Sequence, residues 1–467
     1  MPDKPHICLV VDNPLRDLEG LVLLGRELTT RGAAVTLVPM YEQGFDVPAL
    51  RPDLVLLNYT RPNNADLIKL YKRAGILVGV LDTEGIAGKD PDQFAQIVKT
   101  VGCTDLVDLY CVWGQAQYEA FLRHQTVPAG LLYATGCPRY DFCAQPWRAA
   151  LPKPSVAPGY VLINTNFPVV NPRFSKSAAD ELEAMVQAGY LREFARQFVA
   201  DAQRAYHSVL DTSIKLARHF RDAQFVLRPH PFENIGSYDA FAALPNAHVK
   251  QDGTSLEWIA GARLLIHQNC STAIEAAMLK VEPLSIEWVN TAALRLQAAT
   301  GVSRGVASEE DLIELVHQGL EGRLATPDQD IEQFRQRVMV DLFTAVDGAS
   351  SVRVADAIFE TIARSRGMRP VSRAVPRPSV RGLMAQAARR AMGYKLGSAL
   401  RSRYGSLENE RRRKGKAFSV HQVNAVLERL DAAGGDGRTV LARQAIGKTS
   451  RLVAATSGQS LQLTEAA

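Results

Sequence analysis

The sequence predicts two doubly wound α/β domains in tandem, followed by a basic extension, and three observations carry that prediction. Short apolar runs alternate with stretches of helical period through residues 1–150 and again through 151–363, the pattern of parallel sheets with helical crossovers. A proline-rich connector, Pro146 to Pro158 with Pro152 and Pro154 between, separates the two series. Beyond Ala363 the alternation stops, and 21 Lys and Arg stand against 6 Asp and Glu.

In the first series Ile7–Val11 reads as a strand, Leu18–Thr30 as a helix and Ala34–Val38 as the next strand. Leu54–Leu57, Leu77–Leu81 and Leu109–Val112 are further apolar runs, each followed by a turn and a helical stretch. Unbroken apolar runs are what strands buried on both faces require. The second series opens at Tyr160–Ile163, and a long polar helical region then spans about Ala179 to Arg221. After it come a strand at Phe225–Leu227, a short helix, a strand at Leu264–His267, a helix from Thr272 and a strand at Leu284–Ile286. Helical patterns from about Glu309 to Ala363 close the unit. Residues 364–467 hold helix-compatible stretches at Gly382–Met392 and Val420–Leu430 but no strand pattern, so this extension is expected to be mainly helical or disordered.

Composition narrows the function classes. The 467-residue chain is 46% apolar, and no run approaches the roughly 18 uninterrupted apolar residues of a membrane span. Met1-Pro2-Asp3-Lys4-Pro5 runs straight into a strand and lacks the order of a signal peptide, so a cytoplasmic protein is expected. Six scattered cysteines without a C-x-x-C pair suggest reduced thiols. The net charge of +5 hides an acidic body, 33 basic against 43 acidic residues up to position 363, carrying the basic tail. Such a tail suits an anionic surface. Tyr394, Tyr404 and Phe418 are too sparse among the basic residues for a nucleic-acid stacking platform, so no nucleic-acid partner is expected. There is no Walker A, G-x-G-x-x-G, G-x-S-x-G or metal-ligand cluster, and no metal or other cofactor is expected.

Four loops fall where strands end, the edge at which open α/β sheets bind ligands. Arg228-Pro229-His230-Pro231 stops an apolar run abruptly, and each proline forces the residue before it out of the helical region. Arg228 and His230 are thus presented on a stiff extended loop, and a guanidinium with an imidazole suits a phosphate. His267-Gln268-Asn269-Cys270-Ser271-Thr272 leads into a helix whose free N–H groups favour an anion. Glu275 fits either a capping box with Thr272 or a contact to ribose hydroxyls, and His267 reads more readily as a strand-end histidine with a local hydrogen bond than as a catalyst. Asp82-Thr83-Glu84-Gly85 offers a base or a nucleophile, Glu84 before Asp82, against the reading of Asp82 as an acidic helix cap. Asp12-Asn13-Pro14 is the remaining loop. Asn58-Tyr59-Thr60-Arg61 and Asn164-Thr165-Asn166 are lesser candidates with ordinary turn composition.

Taken in order, these motifs resemble a family. Val11-Asp12-Asn13-Pro14 through Gly20, Leu56-Leu57-Asn58-Tyr59 with Arg61-Pro62-Asn63-Asn64, Leu81–Gly85, Thr135–Arg139, Arg228–Pro231 and Asn269–Thr272 are similar to bacterial surface-carbohydrate biosynthesis proteins related to retaining β-Kdo glycosyltransferases. The resemblance covers about residues 5–345. It implies a GT-B fold, two Rossmann-like domains facing a cleft, with an acceptor-side domain at 1–150 and a CMP-sugar domain at 151–363. It also implies a donor of CMP-Kdo type and a lipid-linked or polysaccharide acceptor, with other glycan-assembly enzymes as partners. The His-Pro and Ser-Thr pairs look like the CMP-binding motifs of bacterial sialyltransferases, so His230, Ser271 and Thr272 would contact the phosphate, with Arg228, Asn269 and Glu275 beside them. Asp82-Thr83-Glu84-Gly85 looks like those enzymes' acidic-acidic-Gly motif, with Thr83 intervening, and makes Glu84, Asp82 and His230 the catalytic candidates. Glu84, Glu233 and Asp252 are the carboxylates from which a nucleophile would come. The basic tail lies outside the resemblance and is expected to hold the protein at the inner membrane surface.

Overall fold

The computed structural model describes residues 4–83, 90–175, 177–187, 189–368, 415–434, 439–444 and 450–454. It divides into two compact units, Met1–Ala150 with Val340–Ala467, and Leu151–Met339. Both are doubly wound α/β sheets, and the chain follows the GT-B plan.

In the first unit the apolar runs become β1 (His6–Val11), β2 (Ala34–Pro39), β3 (Leu54–Leu57), β4 (Leu77–Leu81), β5 (Leu109–Val112) and β6 (Leu132–Ala134). They lie parallel in the order β2-β1-β3-β4-β5-β6. The chain steps from β1 to β2 on one side and then to β3 on the other, so a topological switch point falls between β1 and β3. Helix α1 (Pro14–Thr30) starts where Asn13 accepts from the Leu15 N–H at 3.2 Å with proline at its first position. It also needs Gly20, because a Cβ there would meet the Arg139 backbone nitrogen at 2.6 Å. The core packs Cys8, Val10, Val55, Leu57, Tyr71 and Val78, all at most 2% exposed. Four further helices, α2 (Gln43–Leu50), α3 (Ala65–Arg73), α4 (Pro91–Val101) and α5 (Gln115–Arg123), connect these strands.

The second unit carries β7 (Tyr160–Asn164), β8 (Phe225–Arg228), β9 (Ala247–Val249), β10 (Ala262–His267), β11 (Glu282–Ile286) and β12 (Arg304–Val306). All are parallel, in the order β12-β11-β10-β7-β8-β9. Its first strand stands in the middle, with the switch point between β7 and β10. The polar helical region is two helices, α6 (Ala178–Gln187) and α7 (Arg192–His219). Ala205, Val209 and Leu216 of α7 pack on Ile163, Leu227 and Ile266 of the sheet. The short α8 (Asp239–Ala242), α9 (Ser255–Gly261), α10 (Thr272–Met278) and α11 (Gln297–Gly301) follow, then α12 (Glu309–Glu321) and α13 (Gln329–Phe343).

Two expectations are corrected. The second unit ends at Met339 rather than at 363. The stretch beyond it packs on the first unit: Phe343 stacks with Trp113, and Asp141 accepts from the N–H groups of Ser350 and Ser351, which open α14 (Ser350–Met368), both at 2.8 Å. The extension is also not free of strands. After α15 (Val420–Gly434), β13 (Val440–Gln444) and β14 (Ser450–Ala454) form a hairpin, and β14 pairs antiparallel with β2. Val423, Val426, Leu427 and Leu430 of α15 are buried, while Arg429 reaches Glu19 of α1 and Asp431 pairs with Arg26 at 2.9 Å. Gly382–Met392 lies outside the described residues. Strands β6, β9 and β12 span three residues each, too short to show a period in sequence. None of the six cysteines forms a disulfide. Among the described residues no helix is long and apolar enough to cross a membrane, and no three His, Cys, Asp or Glu gather as a metal site.

Candidate functional site

The carboxyl ends of β8, β7 and β10 lie side by side, because Arg228 registers with Asn164 and Asn164 with His267. The loops leaving these strands are tied to one another across the switch point. Asn164 Nδ2 donates to Thr272 Oγ1 at 2.8 Å, and Asn166 Nδ2 donates to the Asn269 carbonyl at 2.9 Å. The Thr165 N–H donates to the Arg228 carbonyl at 3.1 Å. Arg228, His230, Asn269, Ser271, Thr272 and Glu275 therefore come from neighbouring strand ends of one unit.

His230 is held from every side. Its N–H donates to Glu233 Oε1 at 2.9 Å and its carbonyl accepts from Gln251 Nε2 at 2.9 Å. Nδ1 accepts from the Phe232 N–H at 3.2 Å, which places the ring proton on Nε2. Burial draws the imidazole's pKa below the ordinary histidine value. The loop thus offers a neutral imidazole with Nε2–H as its donor. Arg228 is less open than its sequence position implies. Nη1 and Nη2 donate to the carbonyls of Asp252 at 2.5 Å and Gly253 at 3.3 Å, and the guanidinium lies 5.5 Å from the centroid of the Trp258 ring. It braces the loop.

Glu233 is fully buried. Oε1 accepts from the N–H groups of His230 and Phe167 (3.1 Å) and from Thr165 Oγ1 (3.0 Å), and Oε2 accepts from the Tyr238 hydroxyl. Burial raises its pKa, and these hydrogen bonds oppose the rise. A carboxylate so enclosed positions the His230 loop and cannot meet a substrate as a nucleophile. Asp252, by contrast, is exposed.

On the β10 side, Ser271 caps α10 without a side-chain hydrogen bond to the helix, and Ser271 is exposed. The cap at Ser271 puts Glu275 four residues inside, so the capping box with Thr272 does not form. Glu275 is instead buried at 4% exposure, and its charge is felt at Arg228. The Asn269 amide is occupied by the following loop, donating to the Leu294 carbonyl and accepting from the Leu296 N–H at 2.9 Å. His267 is the strand-end histidine expected: fully buried, with Nδ1 accepting from the Cys270 N–H at 3.4 Å and Nε2 at 2.8 Å from Ser303 Oγ. Asn164, read in sequence as ordinary turn composition, is the residue undervalued. It is 5% exposed, and its Oδ1 has no partner among the described residues. An asparagine ending the central strand of a doubly wound unit was the available signal.

In the first unit Asp82 directly follows β4 at 4% exposure, and the Thr83 N–H donates to the Asn58 carbonyl at 3.0 Å. Among the described residues the next helix, α4, is capped by Asp90. Glu84 lies outside the described residues. Asp12, at the end of β1, pairs with Arg16 at 2.9 Å and with Lys416, which the extension delivers.

No protein-family model matches the chain, and no curated protein matches it in sequence. Solved structures resemble it at low identity. The UDP-GlcNAc 2-epimerase of Methanocaldococcus jannaschii, determined with UDP-GlcNAc and UDP, aligns over 76% of this chain and 99% of its own at 12% identity and a TM-score of 0.47. The UDP-GlcNAc 2-epimerase of Neisseria meningitidis bound to UDP-GlcNAc covers 76% and 100% at 12% identity and 0.45. CalG4, the calicheamicin glycosyltransferase, covers 78% and 99% at 14% identity and 0.41.

Proposed function

We propose that this protein is a glycosyltransferase that moves a sugar acid of the Kdo class from its CMP-activated form to a surface-glycan acceptor. The observation that carries the reading is the switch point of the second unit, where a neutral, half-buried His230 with Nε2–H as its ring donor, the exposed Ser271 and the half-buried Thr272 stand on loops bound to one another. CMP departs as a phosphate monoester, so donors fixed in advance around its phosphate stabilise the charge that develops as the glycosidic bond to it breaks. His230 Nε2–H and the Ser271 hydroxyl are assigned that role, with Thr272, whose own hydroxyl donates to Cys270 Sγ, holding the loop beside them and Arg228 adding positive charge behind it. The unpaired Oδ1 of Asn164 awaits a donor, which a ribose hydroxyl supplies. The new bond forms to an acceptor hydroxyl, whose proton is assigned to a carboxylate of the Asp82–Glu84 loop, Glu84 first. The sugar choice rests on the family resemblance of the motifs.

Thermal unfolding with CMP, UDP and GDP tests this, since a ligand that binds the folded state raises its melting temperature according to affinity. CMP is expected to give the largest rise, and His230→Ala to abolish it. A larger rise with UDP would replace the CMP donor by a nucleoside-diphosphate sugar. No rise with any nucleotide would end the transferase reading.

A further inference from the structure

Two loops that leave the carboxyl edge of the second sheet, after β7 and after β8, are joined next to His230 into a small fixed base. Pro172 and Glu233 form an antiparallel bridge, the Arg173 N–H donates to the Phe232 carbonyl at 2.8 Å, and the Asn234 N–H donates to the Asn171 carbonyl at 3.0 Å. Two buried side chains anchor it, Glu233 as described and Asn171 at 6% exposure. Asn171 spends its whole amide there, donating to the Asn234 carbonyl at 3.1 Å and accepting from Ser237 Oγ at 2.7 Å. The side chains that this base carries are left in the open. Phe174 and Phe232 are 60% and 59% exposed, with ring centroids 5.5 Å apart and planes at 80°. The Phe232 ring also stands 5.4 Å from the imidazole of His230. Arg173 is exposed beside them, its guanidinium 5.5 Å from the Phe174 centroid. Its Nη1 donates to Gln251 Oε1 at 3.0 Å and to the Pro231 carbonyl at 3.5 Å, both neutral oxygens, and no carboxylate among the described residues pairs with it.

Exposed apolar side chains are ordinary when scattered singly, but two aromatic rings in contact on a hydrogen-bonded base mark a binding surface. We propose that Arg173, Phe174 and Phe232 form a subsite for a pyranose that carries a carboxylate, its C–H face lying on the rings and its carboxylate pairing with Arg173. Calling that sugar the donor's rests on the transferase reading; the subsite itself does not. The chemistry selects the ligand class. The face of an aromatic ring is the negative pole of its quadrupole and attracts the polarised C–H groups of a sugar. A guanidinium offers a carboxylate two parallel donors. A neutral hexose would leave Arg173 without an anion, and a free phosphate would leave the rings uncovered. A nucleobase brings no charge for Arg173, and rings at 80° form no slot to sandwich it. The position agrees with the donor reading as well. In a CMP-sugar one oxygen joins phosphate to sugar ring, so a sugar whose phosphate meets His230 Nε2–H lies close to Phe232.

Two measurements on the full-length protein test the proposal. Saturation-transfer NMR with the methyl ketoside of Kdo is expected to show contact with the native protein. Its methyl ester, which keeps the ring and removes the charge, should bind about fivefold more weakly, the scale of one well-aligned exposed ion pair. Arg173→Gln should lower ketoside affinity by the same factor, and Phe174→Ser combined with Phe232→Ser by at least as much. All three positions are exposed, so the variants should melt within about 2 °C of the native protein. No ketoside contact in the native protein, equal affinity for acid and ester, or affinity unchanged in both variants would overturn the proposal. The second measurement is CMP affinity on the same samples. CMP ends at its phosphate, so both variants are expected to bind it as the native protein does; a loss equal to that of the ketoside would make the rings part of the nucleotide site and overturn the subsite. A native protein that binds the ketoside and not CMP would remove the donor reading and keep the subsite, so the two failures are distinguishable.

Discussion

Glu233 shows how a residue's role follows from the number of donors around it. Its Oε1 takes two backbone N–H groups, while Oε2 takes the Tyr238 hydroxyl, which can also accept. A glutamine with its oxygen at Oε1 and its amide facing Tyr238 therefore preserves the network. Glu233→Gln should cost no more than about 1.5 kcal/mol and leave turnover near native. Glu233→Ala leaves two buried N–H groups unpaired, at about 1–3 kcal/mol each, and should lower both stability and CMP affinity. Urea unfolding and a transfer assay read the pair, and a Glu233→Gln protein that is stable but inactive would restore the carboxylate as a reacting group. His267 carries the pH dependence. Burial holds its pKa at about 3, far below the ordinary 6.5. The unfolded chain takes up the proton first, so this contribution is complete above pH 6.5 and is lost as pH falls from 6.5 towards 3, by about 1.4 kcal/mol per pH unit. His6 and His230, depressed chiefly by burial, act in the same direction. Thermal melts between pH 7.5 and 4.5 should show a shallower acid slope in His267→Gln than in the native protein; equal slopes would refute the assignment.

The C-terminal elements illustrate a hairpin that protects an edge. Without β14, β2 would end the first sheet with a row of unpaired backbone groups, the usual template for aggregation. Leu452 of β14 is 2% exposed, and a Cβ at Gly25 of α1 would meet its Cδ1 at 2.6 Å. The glycine is what lets the hairpin seat. Leu452→Ala should cost about 2–5 kcal/mol, and a chain stopped before Lys416 should unfold earlier and self-associate. Urea unfolding and light scattering measure both. A Leu452→Ala change below about 0.5 kcal/mol would mean that the hairpin contributes little to the first unit.

At the scale of the molecule, charge separates what the fold uses from what it leaves over. Several basic residues of the extension are paired within the first unit: Lys416 with Asp12 and Arg429 with Glu19. The expectation of an anionic membrane partner rests on the whole extension, 21 basic against 6 acidic residues beyond Ala363, of which the run Arg411-Arg412-Arg413-Lys414 lies outside the described residues. Each basic residue close to an anionic leaflet contributes about 1 kcal/mol, screened by salt. Full-length protein is expected to sediment with phosphatidylglycerol vesicles at low salt, less so at 0.5 M or with glutamine at 411–414. Sedimentation indifferent to both changes would remove the membrane from the proposal.

The sequence by itself determined the two alternating series, because a strand buried on both faces must be an unbroken apolar run, and a proline after it must end it. Hence Arg228 and His230 could be placed at a strand end, and Ser271 with Thr272 at a helix start, before any coordinates. Only the tertiary structure decided what those side chains face. Glu233 and Asp252 are a turn's composition in sequence, but Glu233 is sealed and Asp252 exposed, since burial depends on Phe167, Thr165 and Tyr238 arriving from other elements. The unpaired Oδ1 of Asn164 is invisible in sequence for the same reason: a missing hydrogen bond is a property of the surroundings. So is the C-terminal hairpin, whose five-residue strands are stable because β2 supplies a partner edge more than 400 positions away in the chain.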